Sequence, residues 1–155
     1  MSTPALRRGF TILEILIVIL VFALLGTLAV LSLRSARLRL RDAQRISDVT
    51  VLRTALSQYW LEKASYPASG GANLGQPGTN TDVFTAAGFV AARDAAPPIY
   101  LSHVPTGPNA NEYYRYRGAA DGYSIRFQTE SDTTFGKANV YYVHASGIDQ
   151  KDEEK

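Results

Sequence analysis

A single acidic residue, Glu14, lies inside a segment that is otherwise almost purely apolar. The segment covers residues 10–33 and follows directly after Arg7, Arg8 and Gly9. A carboxylate in apolar surroundings is costly unless it keeps its water or meets a cation. Two roles are therefore open to Glu14. It is either an acid tolerated near membrane headgroups and the positive end of a helix dipole, or a counter-ion for a cation brought to it.

The glycine before the apolar segment indicates where such a cation would come from. Cleavage between Gly9 and Phe10 would remove the arginines and leave a free amine on Phe10, four residues from Glu14. In a low dielectric the two charges are costly apart and strongly attractive together. Glu14 would pair with its own amine or with that of a neighbouring helix. In the second case the pair fixes the stagger of stacked helices, as a polar residue sets register in a coiled coil.

The apolar segment is long enough to cross a membrane. At about 1.5 Å per residue a helix over residues 10–33 is roughly 36 Å long, against a hydrocarbon core of about 30 Å. A secretory signal has a shorter apolar region, so we predict an anchor that is retained or processed differently. The count of basic residues argues against placing the C-terminal part of the chain, the head, outside the cytoplasm. Only two arginines precede the span and five follow it: Arg34, Arg37, Arg39, Arg41 and Arg45.

The start of the chain resembles the class III signal of type IV pilins and type II secretion pseudopilins, on the run RRGFTILE from Arg7 to Glu14. The resemblance implies that a prepilin peptidase cuts between Gly9 and Phe10 and N-methylates Phe10, and that Glu14 governs assembly. It implies as partners other copies or other pilin-like subunits, the peptidase, an inner-membrane assembly platform and membrane lipid. It also implies a single-pass precursor in a bacterial inner membrane with its head outside the cytoplasm, and later a pilus or a periplasmic pseudopilus.

The helix is predicted to continue as an amphipathic stretch to about residue 65, because apolar side chains recur at helical spacing after Leu33. Pro67 disfavours helical geometry at Tyr66 and so predicts the end. The run LRTALSQYWLEKASYPAS resembles the helix end of the major pseudopilin type. Many type IV pilins have a helix-kinking proline in the apolar segment and a C-terminal disulfide. Here Leu31 occupies about the position of that proline, and there is no cysteine.

Three of the arginines, Arg37, Arg41 and Arg45, share a helical face at a spacing of four. This face is either solvated or in contact with headgroups, or it pairs with acids of adjacent subunits in a filament.

The predicted fold is α+β, with the long helix packed on a small antiparallel sheet, as in the pilin-like fold. A loop is predicted over residues 68–81, and a short helix capped by Asp82 is predicted over Asp82–Arg93. Strands are predicted at Glu112–Arg117, Tyr123–Gln128 and Asn139–His144. The predicted segments are a leader over 1–9, a membrane or filament-core helix over 10–33, an amphipathic helix over 34–65, a connecting region over 66–111, a sheet over 112–148 and a solvated, frayed tail over 149–155.

No set of residues predicts catalysis or a cofactor. His103 and His144 lack metal-ligand spacing and are interpreted as surface or strand-edge residues. The resemblance implies calcium in a loop near the last strands, where Glu130 and Asp132 are candidate ligands. The run TESDTTFGKAN nevertheless matches no calcium-binding pattern. The many tyrosines either fill a small core, as we favour, or line an aromatic or adhesive surface.

The predicted function is that of a structural pilin-like subunit and not of an enzyme. The alternative is a membrane-tethered binding module that never polymerises. A net charge of +2 gives no argument for nucleic acid. The subunit belongs either to a pilus or to a pseudopilus, and the helix end, the compact head and the missing cysteine favour a pseudopilin.

Overall fold

A computed structural model describes residues 9–153 of the chain. The predictions for Arg7 and Arg8 lie outside these residues. One long helix, α1, is followed by eight short strands and one 3₁₀ turn. Their bounds are α1 Ile12–Lys63, β1 Ser69–Asn73, β2 Val83–Thr85, β3 Gly88–Val90, the 3₁₀ turn Ala92–Asp94, β4 Ile99–Leu101, β5 Arg115–Gly118, β6 Tyr123–Gln128, β7 Val140–Val143 and β8 Ile148–Asp149.

The described chain divides into two compact units at Arg37. The first unit is the N-terminal part of α1, and every described side chain in it is exposed. By length and composition α1 qualifies as a membrane-spanning helix. The apolar side chains of this span pack against no other described residue of the unit. A membrane or another apolar surface is therefore needed to cover them.

The second unit starts at Leu38 and contains the rest of α1 and all the strands. We call it the head. The helix ends at Lys63, because Ala64 adopts a left-handed conformation with φ 51° and its N–H donates to the carbonyl of Trp60 at 2.8 Å. Tyr66 and Pro67 follow, and they confirm the predicted end within two residues.

Five strands form one antiparallel sheet in the order β1-β5-β6-β7-β8. The three predicted strands are β5, β6 and β7, and β6 has the predicted bounds. Strand β5 starts at Arg115, three residues later than predicted. Two strands of this sheet were not predicted. Strand β1 is rich in glycine and gives no period-two signal, and β8 lies at the start of the segment predicted as frayed.

The predicted helix over Asp82–Arg93 is wrong. Strands β2 and β3 form a hairpin there, with Phe84 opposite Phe89, and β4 joins them in a separate three-stranded sheet. The β-branched and aromatic residues of VFT and GFV favour strands. Gly88 has φ +99°, which a helix does not accept and which favours glycine.

The head is held by a core between α1 and the sheets. Val49, Leu52 and Leu56 of α1 are buried against aromatic and aliphatic side chains of the strands. The fully buried tyrosines are Tyr114, Tyr116, Tyr123 and Tyr141. This confirms the interpretation that tyrosines fill a small core, since their rings supply much apolar area from short strands.

Candidate functional site

The first candidate site is the N-terminal segment around Gly9, Phe10 and Glu14. Gly9 and Phe10 precede the first helical residue, Ile12, and both are exposed. A peptide bond outside a helix and free of packing is accessible to a peptidase. Within residues 9–153, the predicted cleavage bond is left exposed.

Glu14 occupies the first turn of α1. Its N–H donates to the hydroxyl of Thr11 at 3.2 Å, which is the backbone half of a capping box. A carboxylate here is favoured by the positive end of the helix dipole. No ion pair joins Glu14 to another residue of 9–153. The capping position fits an acid held by the helix dipole, and the counter-ion role requires a partner beyond these residues.

A continuous apolar surface follows Glu14. The large side chains from Ile15 to Leu33 are all exposed, with Leu20 68% exposed. Glycine and small residues are few in this stretch, so the surface is formed mainly of branched aliphatic groups. Such a surface on one helix is suited to lipid or to packing against other apolar helices.

The second candidate site is a cluster of charges in the head, and it corrects the prediction for the arginine face. Arg45 is buried and Arg41 is partly exposed, and both are already engaged in ion pairs. They pair with acids of the same chain, Glu112 and Glu130 from the strand-bearing part of the head and Asp42 from the helix itself. Arg37 is exposed, as the prediction has it, together with Arg34 and Arg39.

Arg45 is the centre of this cluster and is only 2% exposed. Its Nη1 donates to Asp42 Oδ1 at 2.7 Å, and its Nε and Nη2 donate to the two oxygens of Glu112 at 2.5 and 2.9 Å. Nη2 also donates to Glu130. Arg41 binds Glu130 with a second fork through its Nε, at 3.0 Å, and its Nη2. Two guanidinium groups are thus matched to three carboxylates.

Asp42 ties the connection between β6 and β7 to the helix. It accepts the N–H of Glu130 at 2.9 Å, and both the N–H and the hydroxyl of Ser131, at 2.7 and 2.6 Å. With the bond from Arg45, the carboxylate has four donors. Asp42 is 2% exposed, and a carboxylate this deeply buried is tolerated because each oxygen is hydrogen-bonded.

The cluster shifts the pKa values of its members in the directions expected for paired charges. The fork from Arg41, with a further bond from Arg45, lowers the pKa of Glu130 to about 2. Burial alone would raise the pKa of Asp42, but the bonds from Ser131, the Glu130 N–H and Arg45 together hold it below the usual value. The pKa of Glu112 is lowered against burial by Arg45 and Asn109.

The two calcium candidates do not form a common site. Glu130 is bound by the guanidinium groups of Arg41 and Arg45, and Asp132 Oδ1 accepts the N–H of Ala138 at 3.2 Å. Within residues 9–153 no group of three or more His, Cys, Asp or Glu side chains is arranged to hold a metal ion.

The two histidines differ. His103 is exposed, as predicted. His144 is fully buried, so its interpretation as a surface or strand-edge residue is wrong. Its Nδ1 lies 3.0 Å from the carbonyl of Tyr123, and its Nε2 lies 3.1 Å from both Asp149 Oδ1 and the carbonyl of Lys151. Strand β6 supplies the contact to Nδ1, and residues after β7 supply those to Nε2. The sequence signals them only by Asp149, which follows five residues later.

A long apolar N-terminal helix that continues into an antiparallel α+β head defines a pilin-like fold. Among curated proteins, the chain is 24% identical over 148 residues to type II secretion system core protein G of Dickeya chrysanthemi, covering 96% of this chain and 84% of that protein. It is 28% identical over 107 residues to core protein G of Klebsiella pneumoniae, covering 69% and 72%. Against core protein G of Escherichia coli K12 it is 35% identical over 63 residues, 41% and 43% of the two chains.

No protein-family model and no solved structure matches the chain. All three relatives are named type II secretion system core protein G, and the longest of these matches spans nearly the whole chain. The chain is thus similar to these proteins over most of its length and has a pilin-like fold.

Proposed function

We propose that this chain is a structural subunit of a type II secretion pseudopilus and has no catalytic role. The observation that carries the proposal is the match to core protein G over 96% of the chain, on a pilin-like fold. The exposed apolar surface of α1 supports it, because a helix bundle in a filament would bury what the described residues of the isolated chain leave open.

In the proposed pathway the precursor is held in the inner membrane by α1, with the head on the far side from the cytoplasm. A prepilin peptidase cuts between Gly9 and Phe10 and methylates the new amine, and an inner-membrane assembly platform then draws the subunit into the filament. The accessible, non-helical Gly9–Phe10 bond supports this step. The amine of Phe10 becomes the cation for which Glu14 is the counter-ion, within one subunit or between neighbours.

The processing step is tested by the N-terminal mass of the chain extracted from membranes of cells with an active prepilin peptidase. We expect a mature form that begins at N-methylated Phe10. A chain that still begins at Met1 in these cells would overturn the proposal.

The assembly step is tested by replacing Glu14. Glu14→Leu and the near-isosteric Glu14→Gln should each lower the yield of sedimentable filaments about tenfold or more, since 1.4 kcal/mol of lost pairing already gives a factor of ten. The matched control is Thr27→Leu, which alters a polar residue of the same exposed helix whose hydroxyl is already satisfied by the Leu24 carbonyl at 2.8 Å. Filaments of normal yield from both Glu14 variants would show that assembly does not depend on this carboxylate. An unchanged chain that gives no sedimentable filaments would favour a tethered module that does not polymerise.

A further inference from the structure

Three separate parts of the head meet at one buried guanidinium. Asp42 comes from α1, Glu112 from the segment before β5, and Glu130 from the connection between β6 and β7. All three are negatively charged carboxylates that only accept hydrogen bonds. They therefore repel one another unless a cation lies between them. Arg45 lies at that point, with hydrogen bonds to all three.

This is also the region in which the family resemblance implies calcium, and the donor set does not fit that ion. Calcium takes six to eight oxygen ligands. Here the oxygens of Glu130 accept from Arg41, Arg45 and Asn109, and those of Asp42 accept from Arg45 and from the residues 130–131.

The third carboxylate is engaged in the same way. Glu112 accepts from Arg45 on both oxygens, and its Oε2 accepts again from Asn109 Nδ2 at 2.7 Å. An incoming divalent ion would have to displace these bonds and approach two fixed guanidinium groups, which repel it.

We propose that Arg45 is a resident cation that performs, without metal, the structural task that the resemblance assigns to calcium. It fixes the β6–β7 connection and the segment before β5 onto α1. Arg41 supports it by orienting Glu130 from the preceding helical turn. The head is therefore held together independently of calcium. This inference concerns the folded head alone and does not depend on processing or filament assembly.

The test uses the full chain in detergent micelles, with thermal unfolding followed by the fluorescence of Trp60, the only tryptophan, which packs on Tyr66 at a ring distance of 4.7 Å. Calcium chloride and a calcium chelator should give the same midpoint for the unchanged chain. Arg45→Met keeps an apolar stem but removes the charge. It should lower the midpoint by on the order of 10 °C or more in both solutions, because three buried or half-buried carboxylates lose their common partner.

A second readout reports on the tethered connection itself. Lys137 lies exposed in the β6–β7 connection. In native conditions Arg45→Met should raise the rate of tryptic cleavage after Lys137 about tenfold, as expected when tethering worth about 1.4 kcal/mol is lost. Arg39→Met, which changes an exposed arginine of the same helix, is the matched control and should leave both the midpoint and the cleavage rate unchanged.

The outcomes separate cleanly. Calcium that raises the midpoint of the unchanged chain, or slows its cleavage after Lys137, would overturn the proposal in favour of a metal site. An Arg45→Met chain as stable and as protected as the control would overturn it as well. If Arg45→Met does not fold, Arg45→Lys is the second variant. It keeps the charge but loses the fork, so we expect an intermediate midpoint that calcium does not change, and a calcium-dependent midpoint would again contradict the proposal.

Discussion

The two parts of α1 treat charge and apolar surface in opposite ways. Before Arg37, the helix leaves its apolar side chains open and carries one acid, Glu14, with no ion pair to any residue of 9–153. After Leu38, one face of the helix buries apolar side chains in the head while Leu40 and Leu61 stay exposed, and its acid Asp42 has four donors from the same chain. One continuous helix thus serves two environments. The first part has its apolar surface uncovered by the described residues, and the second has a buried face and paired charges within the same chain.

The largest difference between the two parts should appear when a leucine is truncated in each. Leu52 is fully buried in the head and Leu20 is 68% exposed. Leu52→Ala should lower the free energy of unfolding of the head by about 2–5 kcal/mol, through lost burial and the cavity left behind. Leu20→Ala should leave it unchanged within about 0.5 kcal/mol. Urea unfolding of the full chain in micelles, followed by Trp60 fluorescence, measures both. Equal losses would show that the apolar stem contributes to the stability of the head.

A smaller effect should come from acid. The pKa of Glu130 is lowered to about 2 from 4.5 in the unfolded chain, so its stabilising contribution is complete above about pH 4.5 and is lost as the pH falls toward 2. After allowance for its partial exposure we expect a loss of roughly 2 kcal/mol over this window. The unfolding free energy of the unchanged chain and of Glu130→Gln, measured from pH 5 down to about pH 2, gives the test. The variant should show a clearly shallower slope, and parallel curves would place the acid sensitivity elsewhere in the head.

The smallest effect concerns two tyrosines of the core. The hydroxyl of Tyr123 is buried without a hydrogen-bond partner among the described residues, whereas that of Tyr116 donates to the Pro67 carbonyl at 2.8 Å. Tyr116→Phe should cost about 1–3 kcal/mol, because the buried carbonyl loses its donor. Tyr123→Phe should be neutral or stabilise the head by up to about 1 kcal/mol. Urea unfolding measures the free energy of unfolding of both variants. A decrease for Tyr123→Phe as large as that for Tyr116→Phe would contradict the assignment of the Tyr123 hydroxyl as unpaired.

The parts of the fold that follow from local pattern were predictable from the sequence. The apolar run, the end of the helix before Tyr66 and the alternation over Tyr123–Gln128 each depend on neighbouring residues only. The hairpin β2–β3 was missed because VFT and GFV are each too short for a period, and the preceding Asp82 resembled a helix cap. The glycine-rich β1 was missed because its pairing with β5, and not its own side chains, makes it a strand.

The charged cluster could not be predicted in full because its partners are distant in sequence. The spacing of Arg41 and Arg45 indicates a shared face, but two of the three acids that meet them, Glu112 and Glu130, lie 67 to 89 residues further along the chain. The sequence around Glu112 and Glu130 gives no sign of this pairing, because both lie in connecting segments and only the folded sheet places them beside the helix. For the N-terminal segment the opposite holds, since Gly9, Phe10 and Glu14 are local in sequence and the folded chain adds only their exposure and the capping bond at Thr11.

The final strand, β8, gives the C-terminal residues an unexpected practical importance. Asp149 and Lys151 reach back to the fully buried ring of His144, and Asp152 accepts from the hydroxyl of Ser124 at 3.1 Å. A truncation after Gly147 would leave polar groups of the sheet without partners and admit water beside it. Affinity tags for purification are therefore best appended after Lys155, and a shortened chain designed for crystallisation should keep its end through Asp152.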